Sequence, residues 1–474
     1  MTLNFWDSEA WGLINLTGVL LVSLLLANLI KKSVGFLRRS LIPTSVLGGL
    51  MLLIVAVLYE KLGDGSSIFD TAFFGGGGTA ELEVLTYHCL ALGFIAVTFK
   101  PSGRALTRKR SSEVFNTGVT TVSGYLIQGI LGMAITLVAA NFITGLLPAA
   151  GVLLPFGYGQ GTGQALNWGS VYENDYGFTG GRSFGLTVAA LGFLSASIGG
   201  VIHLNILRHR RKIKAADEED ENKALLYQEV ASADEIPVGG SMDKLTVQIA
   251  LVAGVYVICG VLMKLLGGLA EGLKSTIYGF NFLFGVLMAT LIKFLNNLLR
   301  KKGVIKKQYI SGFLMARISG FFFDLMIVAG IAAIKISVLK DYWPVIIIMG
   351  LVGAFATYFY IRFICRKMFP EYSEEQFLVM YGMLTGTAST GMILLREIDP
   401  AFDTPAAENL VYQNLPAIVF GFPMMLLASL APKSPMLTFF ILIGFFAVMN
   451  GILLTSYFIG KKHAEKNTEE KAEE

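Results

Sequence analysis

The chain has 474 residues, of which 54% are hydrophobic and only 15% charged, with a mean hydropathy of +0.62. A soluble protein of this length needs more charge to cover its surface, so most of the chain is solvated by lipid. The net charge of +4 is small, and its basic residues fall in short clusters beside apolar runs, which excludes a nucleic-acid binder and follows a membrane-topology pattern.

The first apolar run, 9–30, is preceded by Asp7 and followed by Lys31, Lys32, Arg38 and Arg39. A signal peptide has the reverse order, so a permanent span that starts outside is predicted. Further spans are predicted at 42–59, 85–99, 114–142 and 184–206. A second set follows at 245–266, 277–299, 310–334, 343–365 and 410–430, with an extra one at 436–459. Most are near the roughly 20 residues that cross a hydrocarbon core about 30 Å thick. Basic clusters at 31–39, 100–110, 208–214, 300–307, 362–367 and 461–466 mark cytoplasmic loops. The loop after residue 59 carries Glu60, Asp64, Asp70, Glu81 and Glu83 against Lys61 alone, as an outside loop does. Eleven spans then put the N-terminus outside and the C-terminus in the cytoplasm. Residues 208–243 start "RHRRKIK", turn acidic at "DEEDEN" and read as a solvated cytoplasmic linker. The tail 461–474 reads as polar and disordered. Cys89, Cys259 and Cys365 are too few and too far apart for a disulfide framework or a zinc site, and read as buried inert thiols.

Two stretches repeat. "YGQGTGQALNW" begins at Tyr158 and "YGMLTGTASTG" at Tyr381, an offset of 223 residues. Tyr158 matches Tyr381, Gly159 matches Gly382, Thr162 matches Thr385, Gly163 matches Gly386 and Ala165 matches Ala388. A weaker echo sets "LGFIAV" at Leu92 against "AGIAAI" at Ala329. The span alternation works only if each repeated stretch enters and leaves on one side, as a re-entrant hairpin at about 148–176 and about 377–400. The expected fold is therefore an all-α polytopic membrane protein of two inverted five-span repeats, 1–207 and 244–431, each with one hairpin. One additional transmembrane helix, 432–460, follows them. Inverted repeats whose broken segments meet at the midplane are a mark of secondary transporters.

Glycines 159, 161, 163, 382 and 386 let the backbone leave helical geometry at the tips. A broken helix exposes amides that attract carboxylates and carbonyls that coordinate Na⁺. Substrate contacts are expected from Gln160, Gly161, Thr162, Gly163, Gln164, Thr387, Ser389, Thr390 and Arg396. Sodium contacts are expected from Thr162, Asn167, Thr385, Gly386 and Asp324. The alternative for the tips is that small residues only let helices pack closely. For Arg396 the alternative is a snorkelling residue or one paired with Glu397 or Asp399. Asp324 is an intramembrane carboxylate, with His88 near the matching place in the third span; a structural pair with Arg317 is its alternative.

The stretches "GYGQGTGQALNWGSVYENDYGFT", "FLSASIGGVI" and "IPTSVLGGLM" resemble the bacterial sodium/glutamate symporter family. The resemblance implies a sodium-coupled carrier of glutamate or a similar small dicarboxylate, with Na⁺ as coupling ion, in the bacterial inner membrane. It also implies a homodimer in which a hairpin-bearing domain moves past a static scaffold. The family's first-hairpin signature falls on Gly159, Gln160, Gly161, Thr162 and Gly163, with Gln160 where the family usually shows histidine. The second stretch, "GMLTGTASTGMILLRE", matches less well. Two other classes stay open: a membrane-embedded enzyme, and a receptor or channel-like protein. An enzyme needs paired aspartates, HExxH, or a serine with a histidine partner, and no such motif is evident.

Overall fold

This computed structural model describes residues 4–63, 65–100, 107–210, 242–304, 309–400 and 402–473. The described residues form helices and turns. The long helices are α1 (Ser8–Ser33), α3 (Thr44–Leu62), α4 (Gly78–Phe99), α5 (Arg108–Ala139), α6 (Leu153–Tyr176) and α7 (Gly181–His209), with the short α2 (Gly35–Arg39) between the first two. The second set is α8 (Lys244–Leu269), α9 (Lys274–Gly279), α10 (Asn281–Lys301), α11 (Gly312–Ala332), α12 (Trp343–Met368), α13 (Ser373–Thr385) and α14 (Ala388–Arg396). Then come α15 (Ala406–Tyr412), α16 (Asn414–Leu430) and α17 (Pro435–Glu473).

Among the described residues, ten helices are long and apolar enough to cross a membrane. The count becomes eleven if 406–412 and 416–430, bent by 52° at a short break, form one span. Most of the expected linker, 211–241, lies outside the described residues. The tail expected to be disordered continues α17 as helix to Glu473. Its sequence is rich in Ala, Glu and Lys, the strongest helix formers, so propensity overrides low hydrophobicity there. All three cysteines are free and buried. Asp243 caps α8, and the Thr246 amide it accepts at 3.0 Å holds its carboxyl below the usual carboxylate range.

Burial separates an inner from an outer set. In α7, 61% of the apolar window is buried, against 22% in α1, α8, α10 and α17. The outer helices thus turn most of their side chains to lipid. The inner ones approach closely because glycines face backbone. Gly169 and Gly185 lie against the carbonyls of Gly181 and Ala165, which seams the later part of α6 to α7. Gly157 does the same for the earlier part against the Ala189 amide. Gly151, in the turn Pro148–Val152 that precedes α6, meets the backbone of Gly132 on α5. A methyl group at Gly151 would overlap that backbone. Gly151→Ala is therefore expected to remove most folded protein, read as loss of the monodisperse peak in detergent chromatography. Gly254→Ala on α8, with nothing within 4 Å of the added carbon, is expected to leave the peak intact.

Candidate functional site

The first repeated stretch lies in α6, which departs from helical geometry at Gly161, φ 77° and ψ −169°. The chain reverses there. Phe156 and Trp168 stack at 5.6 Å between ring centroids, although twelve residues of straight helix would rise about 18 Å. The second stretch breaks between α13 and α14 at Gly386, φ −141° and ψ −105°. It also folds back: a Cβ on Gly382 would lie 2.7 Å from the Gly391 Cα. Each stretch is thus a hairpin whose arms pack on each other.

The two tips touch. A Cβ on Gly161 would lie 3.9 Å from Thr387 Cγ2, 3.7 Å from Phe193 on α7 and 4.0 Å from Met326 on α11. Helix α7 runs past both hairpins. Gly192 makes room for the Thr385 carbonyl, and Gly199 for the Tyr381 ring. Tyr158 and Tyr381, matched in sequence, converge on Ser195 of this helix: the Tyr158 hydroxyl meets Ser195 Oγ at 3.1 Å, and the Tyr381 hydroxyl donates to the Ser195 carbonyl at 3.1 Å.

Only one of the three glycines of the first stretch bends. Gly159 is packed by the Tyr125 ring, and a Cβ on Gly163 would meet Leu90 and Met326 at 2.8 Å. Both stay helical, and both must be glycine because their neighbours leave space for hydrogen alone. The Thr162 hydroxyl donates to the Met326 carbonyl at 3.3 Å, across a gap that Gly330 keeps open. Gln160 is half-buried. Gln164 is fully buried, and neither its Oε1 nor its Nε2 has a hydrogen-bond partner among the described residues. Trp168, one turn on, is also fully buried, with no partner for Nε1 among the described residues. Asn167 donates its amide to the Gly279 carbonyl.

At the second tip, Thr385 donates its hydroxyl to the Tyr381 carbonyl at 2.7 Å, one turn back in its own helix. Thr387 caps α14, accepting the Thr390 amide at 3.3 Å, and its hydroxyl meets that of Thr390 at 3.2 Å. Ser389, in the first turn, is exposed. The tips therefore present hydroxyls, amides and helix-end backbone, all without fixed charge. Among the described residues no three His, Cys, Asp or Glu side chains converge to hold a metal ion. Neutral oxygen donors suit a hard, weakly bound alkali cation better than a transition metal.

Two expected site residues are not brought to the tips. Arg396 ends α14, about 12 Å of helix from Ala388, and its guanidinium lies 5.4 Å from the Phe402 ring centroid. Glu397 pairs instead with Arg208 at 2.8 Å, and Asp399 accepts the amides of Asp403 and Thr404. Asp324 is exposed and has the Ser45 hydroxyl as hydrogen-bond partner. It sits about 200° around α11 from Met326, which faces the tip, so it points away. Arg317 lies over the Phe313 ring at 5.2 Å, and His88 meets the Tyr256 hydroxyl at 2.7 Å. Neither approaches Asp324 as a partner. Conversely, Trp168, Tyr125, Gln128 and Thr357 were missed. The one signal for Gln128 was an amide inside an otherwise apolar run, "GYLIQGILG".

The end of the first hairpin away from its tip is pinned by charge. Arg182 donates to Glu83 on α4 at 2.8 Å and to Asn174 at 3.0 Å, and Glu173 accepts the Arg182 amide at 3.0 Å. This fixes the returning arm against α4 and α7 while its tip stays among neutral groups.

The family profile described as sodium/glutamate symporter matches residues 13–382, which include the first hairpin and reach the last arm before the second tip. The chain belongs to the sodium/glutamate symporter family. The sodium/glutamate symporters of Escherichia coli (strain K12) and Shigella flexneri are each 26% identical to this family member over 260 residues, 54% of this chain and 58% of the relative. The aligned part thus spans little more than half the length of those relatives.

Proposed function

We propose that this protein is a sodium-coupled symporter of glutamate or a closely related small dicarboxylate, working by elevator-type alternating access. The observation that carries the reading is Gln164. A fully buried amide with both polar atoms unpartnered is costly unless something transient pairs with it, and this one sits three residues from the bend of the first tip. The family membership supplies the class of ligand. One carboxylate is placed at the amide end of α14, beside Thr387, Ser389 and Thr390, and the amides of Gln160 and Gln164 serve the other end of the substrate. Na⁺ is assigned to the oxygens of Thr162, Asn167, Thr385 and the Gly386 backbone. Arg396 and Asp324 are left out because the fold sets them elsewhere.

With no arginine at the tips among the described residues, the positive charge that offsets the substrate's net negative charge comes from sodium. Anion and cation binding then depend on each other, which is coupling in thermodynamic form. The repeated stretches support two inverted halves, 1–207 and 244–431. The positions of Lys and Arg support a multi-pass protein of the bacterial inner membrane with its N-terminus outside and its C-terminus in the cytoplasm. The family resemblance supports a homodimer.

The test is uptake of labelled L-glutamate into proteoliposomes. An inward sodium gradient is expected to drive accumulation, and an equal potassium gradient to drive none. Uptake indifferent to sodium, or equal uptake of a neutral amino acid, removes the reading. A membrane enzyme or a receptor gives no accumulation under either gradient.

A further inference from the structure

Helix α5 lies outside both repeated stretches, yet it holds a carbonyl beside each tip. The Tyr125 hydroxyl donates to the Gly159 carbonyl at 3.2 Å, two residues before the bend at Gly161. About one turn along the same helix, Gln128 donates Nε2 to the Leu384 carbonyl at 2.8 Å, two residues before the break at Gly386. The same Nε2 donates to Thr357 Oγ1 on α12 at 2.8 Å. Both carbonyls belong to the last turn of an arm, where the amide four residues on has left the helix. A carbonyl can only accept, so the Leu384 contact fixes which end of the Gln128 amide faces it. The other end is Oε1. Gln128 is fully buried, as is Thr357, and Oε1 has no hydrogen-bond partner among the described residues.

A planar amide whose nitrogen is held by two acceptors on two other helices has no freedom to turn its oxygen elsewhere. An unpartnered buried oxygen held this firmly fits a neutral ligand for a hard cation. We propose that Gln128 is a further sodium ligand: Oε1 binds the alkali cation beside the second tip, while Nε2 fixes the last turn of α13 against α12. This rests on the sodium-coupled reading above, and it adds a ligand from outside the repeated stretches. Thr385, whose hydroxyl the proposed sodium set already includes, ends the same arm one residue after Leu384.

The experiment compares the wild-type protein with Gln128→Leu, Gln128→Asn and Gln128→Glu in proteoliposomes and, for thermal stabilisation by NaCl against KCl, in detergent. Gln128→Leu removes the oxygen, together with the Nε2 donor, at similar volume, and its half-saturating sodium concentration is expected to rise about ten-fold, the loss of one cation contact. The glutamate KM at saturating sodium is expected to move by less than about two-fold, because the ligand in question is the cation's. Gln128→Glu keeps an oxygen at the same reach but loses the Nε2 donor to Leu384 and Thr357. A sodium response retained there and lost in Gln128→Leu assigns the effect to the oxygen, whereas the same loss in both assigns it to the Nε2 contacts and overturns the proposal. Gln128→Asn withdraws the oxygen by one carbon and is expected to shift like Gln128→Leu; it carries the test if the leucine variant does not fold. A lower maximal rate with unchanged half-saturating sodium in the leucine and asparagine variants overturns the proposal and leaves Gln128 a packing residue. A wild-type protein that sodium neither drives nor stabilises overturns the symporter reading itself, and this ligand with it.

Discussion

Gln164→Leu is expected to make the protein more stable and to lower sodium-driven glutamate uptake by more than about ten-fold. The amide is fully buried and finds no partner among the described residues, so the folded protein carries an unmet desolvation cost. Removing such a group is worth about 1–3 kcal/mol when the replacement fills the same space. Leucine has nearly the volume of glutamine and the same preference for helix. The melting midpoint in detergent should therefore rise. Uptake should fall by more than about ten-fold, the effect of one lost polar contact to a charged ligand. The opposite signs are the diagnostic: a residue kept only for packing loses stability and function together. Normal uptake by the leucine variant would place the substrate elsewhere.

Gly161→Ala is expected to stop transport by a different route. At φ 77° and ψ −169° the residue occupies backbone space open to glycine alone, and a side chain there costs about 1–3 kcal/mol. Space is not the obstacle, since the nearest atom to an added Cβ lies at 3.7 Å. The strain falls on the bend itself, so the tip must rebuild while the arms stay packed through Phe156 and Trp168. Uptake should drop by at least about ten-fold, the equivalent of roughly 1.4 kcal/mol misplaced at the site, with most of the protein still folded. Gly163→Ala should do the reverse. Its backbone is helical, but the new methyl meets the Leu90 and Met326 side chains at 2.8 Å, so those side chains must shift and the cost falls on stability and not on the bend. If Gly161→Ala transports normally, the bend is not needed for the site.

The register of the tips shows where sequence reading stops. Matching the two stretches pairs Gly163 with Gly386 and Thr162 with Thr385. The structure bends at Gly161 and Gly386, so the matched pairs fall on different sides of their bends. Thr162 begins the returning arm and reaches the Met326 carbonyl on another helix. Thr385 ends the entering arm and bonds within its own helix. A glycine permits a bend, but it is also needed where a helix is closely packed, and the sequence does not tell the two apart. Leu90 and Met326 fill the space around Gly163, and the Tyr125 ring fills that around Gly159. Arg396 and Asp324 fail as tip residues for a similar reason. Their charge was visible in the sequence, but the end of α14 that carries one and the face of α11 that carries the other were set by helix packing.

What the sequence alone determined was the all-helical membrane class, the approximate span positions and the family. Hydropathy and charge are sums over neighbouring residues, and a membrane span needs little else to be recognised. The motif from Tyr158 onward is contiguous, so it too survives in one dimension. Only the tertiary structure decided that the tips touch, which glycine bends, and that Gln128 on α5 reaches Leu384 and Thr357, 256 and 229 residues away. Those are contacts between segments far apart in the chain, fixed by how closely glycine-faced helices approach, and no local sum contains them.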